Sequence, residues 1–248
     1  MEVSNGIIKW VHSLAQKKNR DRERCFVAEG TKCVLDTLGA FRLRGLFCTE
    51  NWLRVHNVER ASVVSSVQIE RMSMLKTPTE VIAVYEMPDY GAGLSEAVNN
   101  LNLALDGVQD PGNLGTIIRI ADWFGIRDVY CSMNTVDVYN PKVVQATMGA
   151  ISRVRTHYCD LPGLFHSLKD VPVFGTFLNG YNMYEEELDS KGFIVMGNEG
   201  NGISPEVERY VTKRLHIPSY PAGGLTSESL NVGMATAIVV SEFRRRMI

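Results

Sequence analysis

A chain of 248 residues, 45% apolar and 22% charged, predicts a soluble folded protein of one to two domains and excludes collagen, coiled coil and disorder. Its longest apolar runs, such as 192–196 and 234–240, fall far short of the ~20 residues of a membrane span. The formal net charge of −2 hides an asymmetry: residues 1–76 carry 13 Lys or Arg against 8 Asp or Glu, and residues 77–248 carry 13 against 20. A basic front on an acidic remainder predicts two modules, the first facing a polyanion. Lys9, His12, Lys17 and Lys18 interrupt any apolar signal segment. Cysteines 25, 33, 48, 131 and 159 show no C-x-x-C spacing and the five histidines are scattered. The expectation is a cytoplasmic protein with reduced cysteines and no metal.

Ser4 or Asn5 caps a predicted first helix running through Lys18, with Ile8, Val11, Leu14 and Ala15 on one face. The densest basic run follows, with Lys17, Lys18, Arg20, Arg22 and Arg24 as candidate polyanion contacts; taken alone, such a run equally suits a solvated helix end. Cys25–Ala28 reads as a buried strand. A helix capped by Thr31 buries Val34, Leu35 and Leu38 and stops at Gly39. Leu46–Thr49 is a strand, Asn51–Val55 a helix, and Val63-Val64 and Val81–Tyr85 are strands. These complete a small α/β domain over 1–87. Pro88, Gly91 and Gly93 mark a linker within 88–99.

From residue 100 to 248 strands and helices alternate. Strands are predicted at 101–105, 129–132, 155–158, 171–178, 193–196 and 215–217. Helices are predicted at 114–124, 141–151, 163–168, 205–212 and 230–246. This rhythm predicts a parallel sheet covered on both faces, with ligands beyond the carboxyl ends of its strands. The loops there, after 105, 178, 196 and 217, are rich in glycine and asparagine, which accumulate where backbone turns sharply or approaches a ligand. No G-x-x-x-x-G-K-[ST], no complete G-x-G-x-x-G and no G-x-S-x-G is present. A P-loop NTPase, a nicotinamide site and a hydrolase elbow are therefore disfavoured. The polar inventory of Asn, Ser, Glu and one Arg suits a hydrogen-bonding, partly cationic ligand.

Three stretches carry a resemblance: Asp110-Pro111-Gly112-Asn113-Leu114-Gly115 through Arg119, Ile194 through Gly197-Asn198-Glu199-Gly200-Asn201-Gly202-Ile203, and Ile217-Pro218 followed by Ser229-Leu230-Asn231-Val232. In this order they resemble the three motifs of the SpoU/TrmH family of RNA ribose 2′-O-methyltransferases, of the SPOUT class. Leu14, Lys18, Arg20 and Phe26–Gly30 resemble that family's substrate-binding module, itself similar to RNA-binding ribosomal proteins.

The resemblance implies an S-adenosylmethionine-dependent enzyme acting on rRNA or tRNA as a homodimer, with a carboxyl-terminal trefoil knot. It implies catalytic roles for Asn113, Arg119, Glu199, Ser229 and Asn231. It implies a cofactor pocket from Thr176, Phe177, Leu178, Gly197, Asn198, Glu199, Gly202, Ile217, Pro218 and Leu230. Lys17, Lys18, Arg20, Arg22 and Arg24 become RNA contacts. The loop Ser219–Glu228, longer than in many members, is a candidate lid. The competing readings are a non-catalytic RNA-binding protein of the same fold and, disfavoured by the missing phosphate motifs, a doubly wound nucleotide-binding enzyme.

Overall fold

The structure, a computed structural model, describes residues 3–91, 94–221 and 227–247. The chain divides into two compact units. One holds the residues up to Asp89 together with Asp137–Arg153; the other holds Tyr90–Val136 and the residues from Val154 on. The first unit is thus discontinuous, because a segment from within the expected second domain, 100–248, packs with it.

In the first unit the predicted opening helix is two, α1 (Asn5–Ser13) and α2 (Lys17–Glu23). Arg20 explains the break. Its Nη1 donates to the Leu14 and Ala15 carbonyls, each at 2.8 Å, taking acceptors that a continuous helix would use. Its Nη2 meets Asp137 Oδ2 at 2.6 Å, and the residue is 2% exposed. This corrects the assignment of Arg20 to RNA contact: a buried guanidinium committed to two carbonyls and a carboxylate does not reach a phosphate. Lys17, Lys18, Arg22 and Arg24 are exposed, with Arg22 paired to Glu23.

Strand β1 (Cys25–Glu29) leads through α3 (Thr31–Thr37) to β2 (Leu43–Cys48), α4 (Glu50–His56), β3 (Ser62–Val63), α5 (Ser66–Met72) and β4 (Val81–Glu86). The sheet order is β1-β4-β2-β3, with β4 antiparallel to both its neighbours and β3 parallel to β2. Val11 and Leu14 of the amino-terminal region, Met72 of α5, and Val27, Ile82 and Val84 of the sheet share one core. A capping box between Ser65 and Gln68 starts α5.

The second unit begins with α6 (Leu94–Ala97), β5 (Leu101–Asp106), α7 (Pro111–Trp123) and β6 (Asp128–Cys131). Helix α8 (Pro141–Thr147) belongs to the first unit, where it packs on β1 and α3. It stops short of the predicted Ile151 because Met148 and Gly149 both take left-handed backbone. A Cβ on Gly149 would stand 2.4 Å from that of Asp36 on α3, so glycine permits this approach. The second unit resumes with β7 (Arg155–Tyr158), α9 (Leu161–Ser167), β8 (Val173–Asn182), β9 (Gly192–Gly197), α10 (Pro205–Glu208), β10 (Lys213–His216) and α11 (Val232–Arg245). Helix α10 ends before the predicted Thr212 because the Thr212 N–H donates to the Val173 carbonyl, turning the chain into β10.

The six strands are all parallel, in the order β10-β8-β9-β5-β6-β7. Leu103, Ala104, Leu105, Val129, Ile194 and Val195 are fully buried at its centre. The order reverses at β5: β6 and β7 lie to one side, β8 to β10 to the other. That reversal opens a crevice at the carboxyl ends.

Strand β8 differs from expectation. It runs to Asn182, and its register against β10 jumps from Gly175↔Arg214 to Tyr181↔Leu215. Asn179-Gly180 is therefore part of a bulge inside the strand, not a loop beyond it.

Helix α11 closes the unit. Arg244 Nε donates to the Phe124 carbonyl at 2.8 Å, capping the carboxyl end of α7. Buried Glu242 accepts from Arg245 Nε and Arg246 Nε, both at 2.7 Å. Arg246 also holds the carbonyls of Met183, Tyr184 and Glu186. The Arg245 hydrogen bond, aided by that of Arg246 against desolvation, lowers the Glu242 carboxyl to about 2. A depressed carboxyl stabilises the fold above its unfolded value of about 4.3, and that contribution fades as pH falls towards about 2. Denaturant unfolding should accordingly lose stability more steeply over this acid range in the native chain than in Glu242→Gln. Parallel curves would assign the acid-labile group elsewhere.

Candidate functional site

Strands β8 and β9 pair only through Val173–Gly175 against Phe193–Val195 and then diverge. Thr176 Oγ1 donates to the Val195 carbonyl at 3.0 Å, fixing the point where they part. Beyond it, Phe177 lies under the Arg214 guanidinium, whose Cζ stands 3.6 Å from the ring centroid. Leu178 is 69% exposed at the rim. Ile217, half-buried, and Pro218, exposed, follow β10, while Ser229 and Leu230 are exposed just before α11. Three segments thus offer apolar surface and backbone polar groups around one crevice mouth.

The loop after β9 is built from its own backbone. Asn198 and Gly202 exchange N–H···O bonds, both 2.9 Å. Asn198 Oδ1 accepts from the N–H groups of Gly200 and Asn201, and its Nδ2 donates to the Gly107 carbonyl at 2.7 Å. The Asn198 side chain therefore staples this loop to the loop after β5. A Cβ on Gly197 would stand 2.3 Å from the Gly202 carbonyl carbon, so a side chain there would force the loop open.

Sequence reasoning missed a supporting layer. Asp106 Oδ2 accepts from the Ser204 N–H at 2.7 Å, Ser132 Oγ accepts from the Gly107 N–H at 2.9 Å, and Thr135 Oγ1 donates to the Leu105 carbonyl. The signal available was a carboxylate closing an otherwise apolar strand, Leu103-Ala104-Leu105-Asp106.

The three motifs meet in one hydrogen-bonded relay. Asp110 caps α7 by accepting from the Asn113 N–H at 2.8 Å, with Pro111 at the helix's first position. Asn231 caps α11, its Oδ1 accepting from the N–H groups of Gly233 and Met234. Asn231 Nδ2 donates to Asn113 Oδ1 at 2.9 Å, and Asn113 Nδ2 donates to Glu199 Oε1 at 2.8 Å. A carboxylate only accepts, so Asn113 must turn its NH2 to Glu199 and its oxygen to Asn231. The relay has one direction and joins residues 86 and 118 positions apart.

Arg119 stands outside the relay. Six residues on from Asn113, at about 100° per residue, it projects some 240° round the helix. It is exposed and makes no hydrogen bond or ion pair among the described residues. Residues 222–226 of the candidate lid Ser219–Glu228 lie outside the described residues.

A parallel α/β sheet that reverses its order at β5, with an asparagine–carboxylate relay at the carboxyl ends of β5 and β9 and the divergent β8–β9 pair beside it, has the form of a small-molecule site. Residues 100–241 match the SpoU rRNA Methylase family, and residues 5–83 match the MRM3-like substrate binding domain. The chain belongs to the SpoU rRNA methylase family. It is 30% identical to 23S rRNA (guanosine(2553)-2′-O)-methyltransferase RlmP of Bacillus subtilis, over 98% of this chain and 97% of that one. A solved TrmH-family structure from Porphyromonas gingivalis is 42% identical with a TM-score of 0.89, covering 99% of this chain and 100% of that one. An AdoMet-bound rRNA methyltransferase from Sinorhizobium meliloti is 28% identical with a TM-score of 0.85, covering 100% and 97%.

Proposed function

We propose that the protein transfers a methyl group from S-adenosylmethionine to a ribose 2′-hydroxyl of rRNA. The observation that carries this reading is the relay Asn231–Asn113–Glu199, assembled beside a crevice whose walls suit the cofactor. Those walls offer apolar side chains and backbone groups. Bound there, S-adenosylmethionine supplies an electrophilic methyl group on a sulfonium.

Thr176, Phe177, Leu178, Gly197, Gly202, Ile217, Pro218 and Leu230 hold the cofactor, and Asn198 keeps the loop in shape for it. Asn113, Glu199, Ser229 and Asn231 order the substrate side. Arg119 orients the 2′-hydroxyl and a neighbouring phosphate in line with the methyl carbon. A guanidinium stays protonated, so positioning suits it better than accepting the hydroxyl proton. The 2′-oxygen bonds to the methyl carbon as the carbon–sulfur bond breaks, and the hydroxyl proton leaves to solvent.

Three finer readings accompany this. Helix α11, reached from β10 at one edge of the sheet, packs on α7 and on central β9. That return path supports a carboxyl-terminal trefoil knot, a rare exception to unthreaded topology. Trp123 on α7 is 85% exposed, and Met234 on the adjoining α11 is exposed too, which supports a homodimer through this helix pair. No helix among the described residues is long and apolar enough to cross a membrane, and no group of three or more His, Cys, Asp or Glu there could hold a metal. A cytoplasmic location accords with five free cysteines.

Isothermal titration of the folded chain with S-adenosylmethionine and its demethylated product tests the cofactor assignment. Saturable binding of both is expected. No heat with either ligand, on protein shown to be folded, would refute it.

A further inference from the structure

We infer that Arg24, Arg42 and Arg44 form a phosphate-binding patch that grips the RNA backbone at the end of the first unit where the chain departs for the linker. The inference rests on the RNA reading above and adds to its Arg24 two residues that reading did not contain, Arg42 and Arg44. Three strand ends meet there. Cys25 pairs with Glu86, the Glu86 N–H donates to the Arg42 carbonyl at 2.9 Å, and the Met87 N–H donates to the Arg24 carbonyl at 2.8 Å. Arg24 and Arg42 therefore flank the last residues of β4 from either side.

The register of β2 against β4 shifts between Leu43 and Gly45, so Arg44 is the extra residue of a bulge. Bulges re-aim a side chain, and this one turns Arg44 onto the carboxylate that Arg42 also uses. Arg42 Nη1 lies 3.3 Å from Glu86 Oε2, and Arg44 Nη1 lies 3.1 Å from Oε1. Arg42 remains 80% exposed and Arg44 51%. One carboxylate cannot neutralise three guanidiniums, and nearby Glu23 is engaged by Arg22.

The fold gains little from this arrangement. Exposed ion pairs contribute little to stability, and like charges held together repel. Two guanidiniums sharing one carboxylate do, however, present free N–H edges in the planar geometry that receives a phosphate. Glu86 orders both forks while leaving the patch net positive. A phosphate bound there would sit within three residues of Asp89, where the first unit hands the chain on.

The test uses the full chain, purified 23S rRNA as probe, and a salt titration of binding. Arg42→Gln/Arg44→Gln should bind roughly tenfold more weakly at low salt. It should also flatten the log–log salt slope by about 1.4 to 1.8, the counterions released by two phosphate contacts. Glu86→Gln removes the internal competitor and should strengthen binding several-fold. S-adenosylmethionine affinity, read in parallel, should be unchanged in both variants. A double variant with the native slope would overturn the patch while leaving the RNA reading intact. Glu86→Gln that weakens binding as much as the double variant would assign these residues a structural role instead. A native chain that binds S-adenosylmethionine but no RNA would overturn both.

Discussion

Arg119→Ala is expected to cut methyl transfer to RNA at least a hundredfold while leaving S-adenosylmethionine affinity near the native value. The residue lies on α7, whereas the proposed cofactor walls come from β8, the loop after β9 and the segment between β10 and α11. It is exposed and makes no hydrogen bond or ion pair among the described residues, so its removal breaks no contact described within the fold. A hundredfold loss corresponds to about 2.7 kcal/mol of transition-state stabilisation, reasonable for one aimed charged contact. Arg119→Lys should not restore the rate, because an ammonium cannot hold a hydroxyl and a phosphate in one plane. Asn113→Ala should lie between them. It removes the central member of the relay, but a neutral amide contributes less than a guanidinium. Transfer of labelled methyl groups, with cofactor affinity measured on each variant, separates these outcomes. A native rate in Arg119→Ala would make the residue a bystander on the helix surface.

Gly197→Val should abolish measurable S-adenosylmethionine binding for a different reason. The sequence alone suggests that glycine there admits a ligand close to the backbone. The structure shows a nearer obstacle: the added Cβ would meet Gly202 and the Ile203 nitrogen, at 2.3 and 2.4 Å. The loop would have to open, breaking the paired Asn198–Gly202 bonds and withdrawing the Asn198 staple to Gly107. An affinity loss beyond a hundredfold, about 2.7 kcal/mol, is expected. Circular dichroism should stay native, because Gly197 terminates β9 and the buried strand residues before it are untouched. Native affinity in this variant would remove the loop from the pocket.

What the sequence made legible was local. Glycine and asparagine betray tight backbone, so the loops after β5, β9 and β10 stood out without coordinates. Pro111 and Pro141 marked helix starts for the same reason. The convergence of Asn113, Glu199 and Asn231 was not legible from spacing, since pairings across 86 and 118 residues depend on the strand order. Asp106, Ser132 and Thr135 escaped because a polar residue closing a strand looks like any turn residue until its partner is known. Arg20 was misread for a related reason. A basic run looks solvated, and nothing local says that one member turns inward to Asp137, 117 positions away. The same long-range packing places Asp137–Arg153 with the first unit. Helix α5 was legible and overlooked: Ser65 and Gln68, three apart, form a capping box, but only Ile69 and Met72 are buried, too few to register as periodicity.

The central claim is ribose 2′-O-methylation, and alkali reads it directly. Hydrolysis of RNA proceeds through the 2′-hydroxyl, so a methylated ribose protects its own phosphodiester. Purified rRNA lacking the modification, incubated with the protein and methyl-labelled S-adenosylmethionine and then digested in alkali, should yield label in an alkali-stable dinucleotide. The same digestion after incubation with Arg119→Ala should yield almost none. Label recovered only in single nucleotides would place the methyl group on a base and contradict the account.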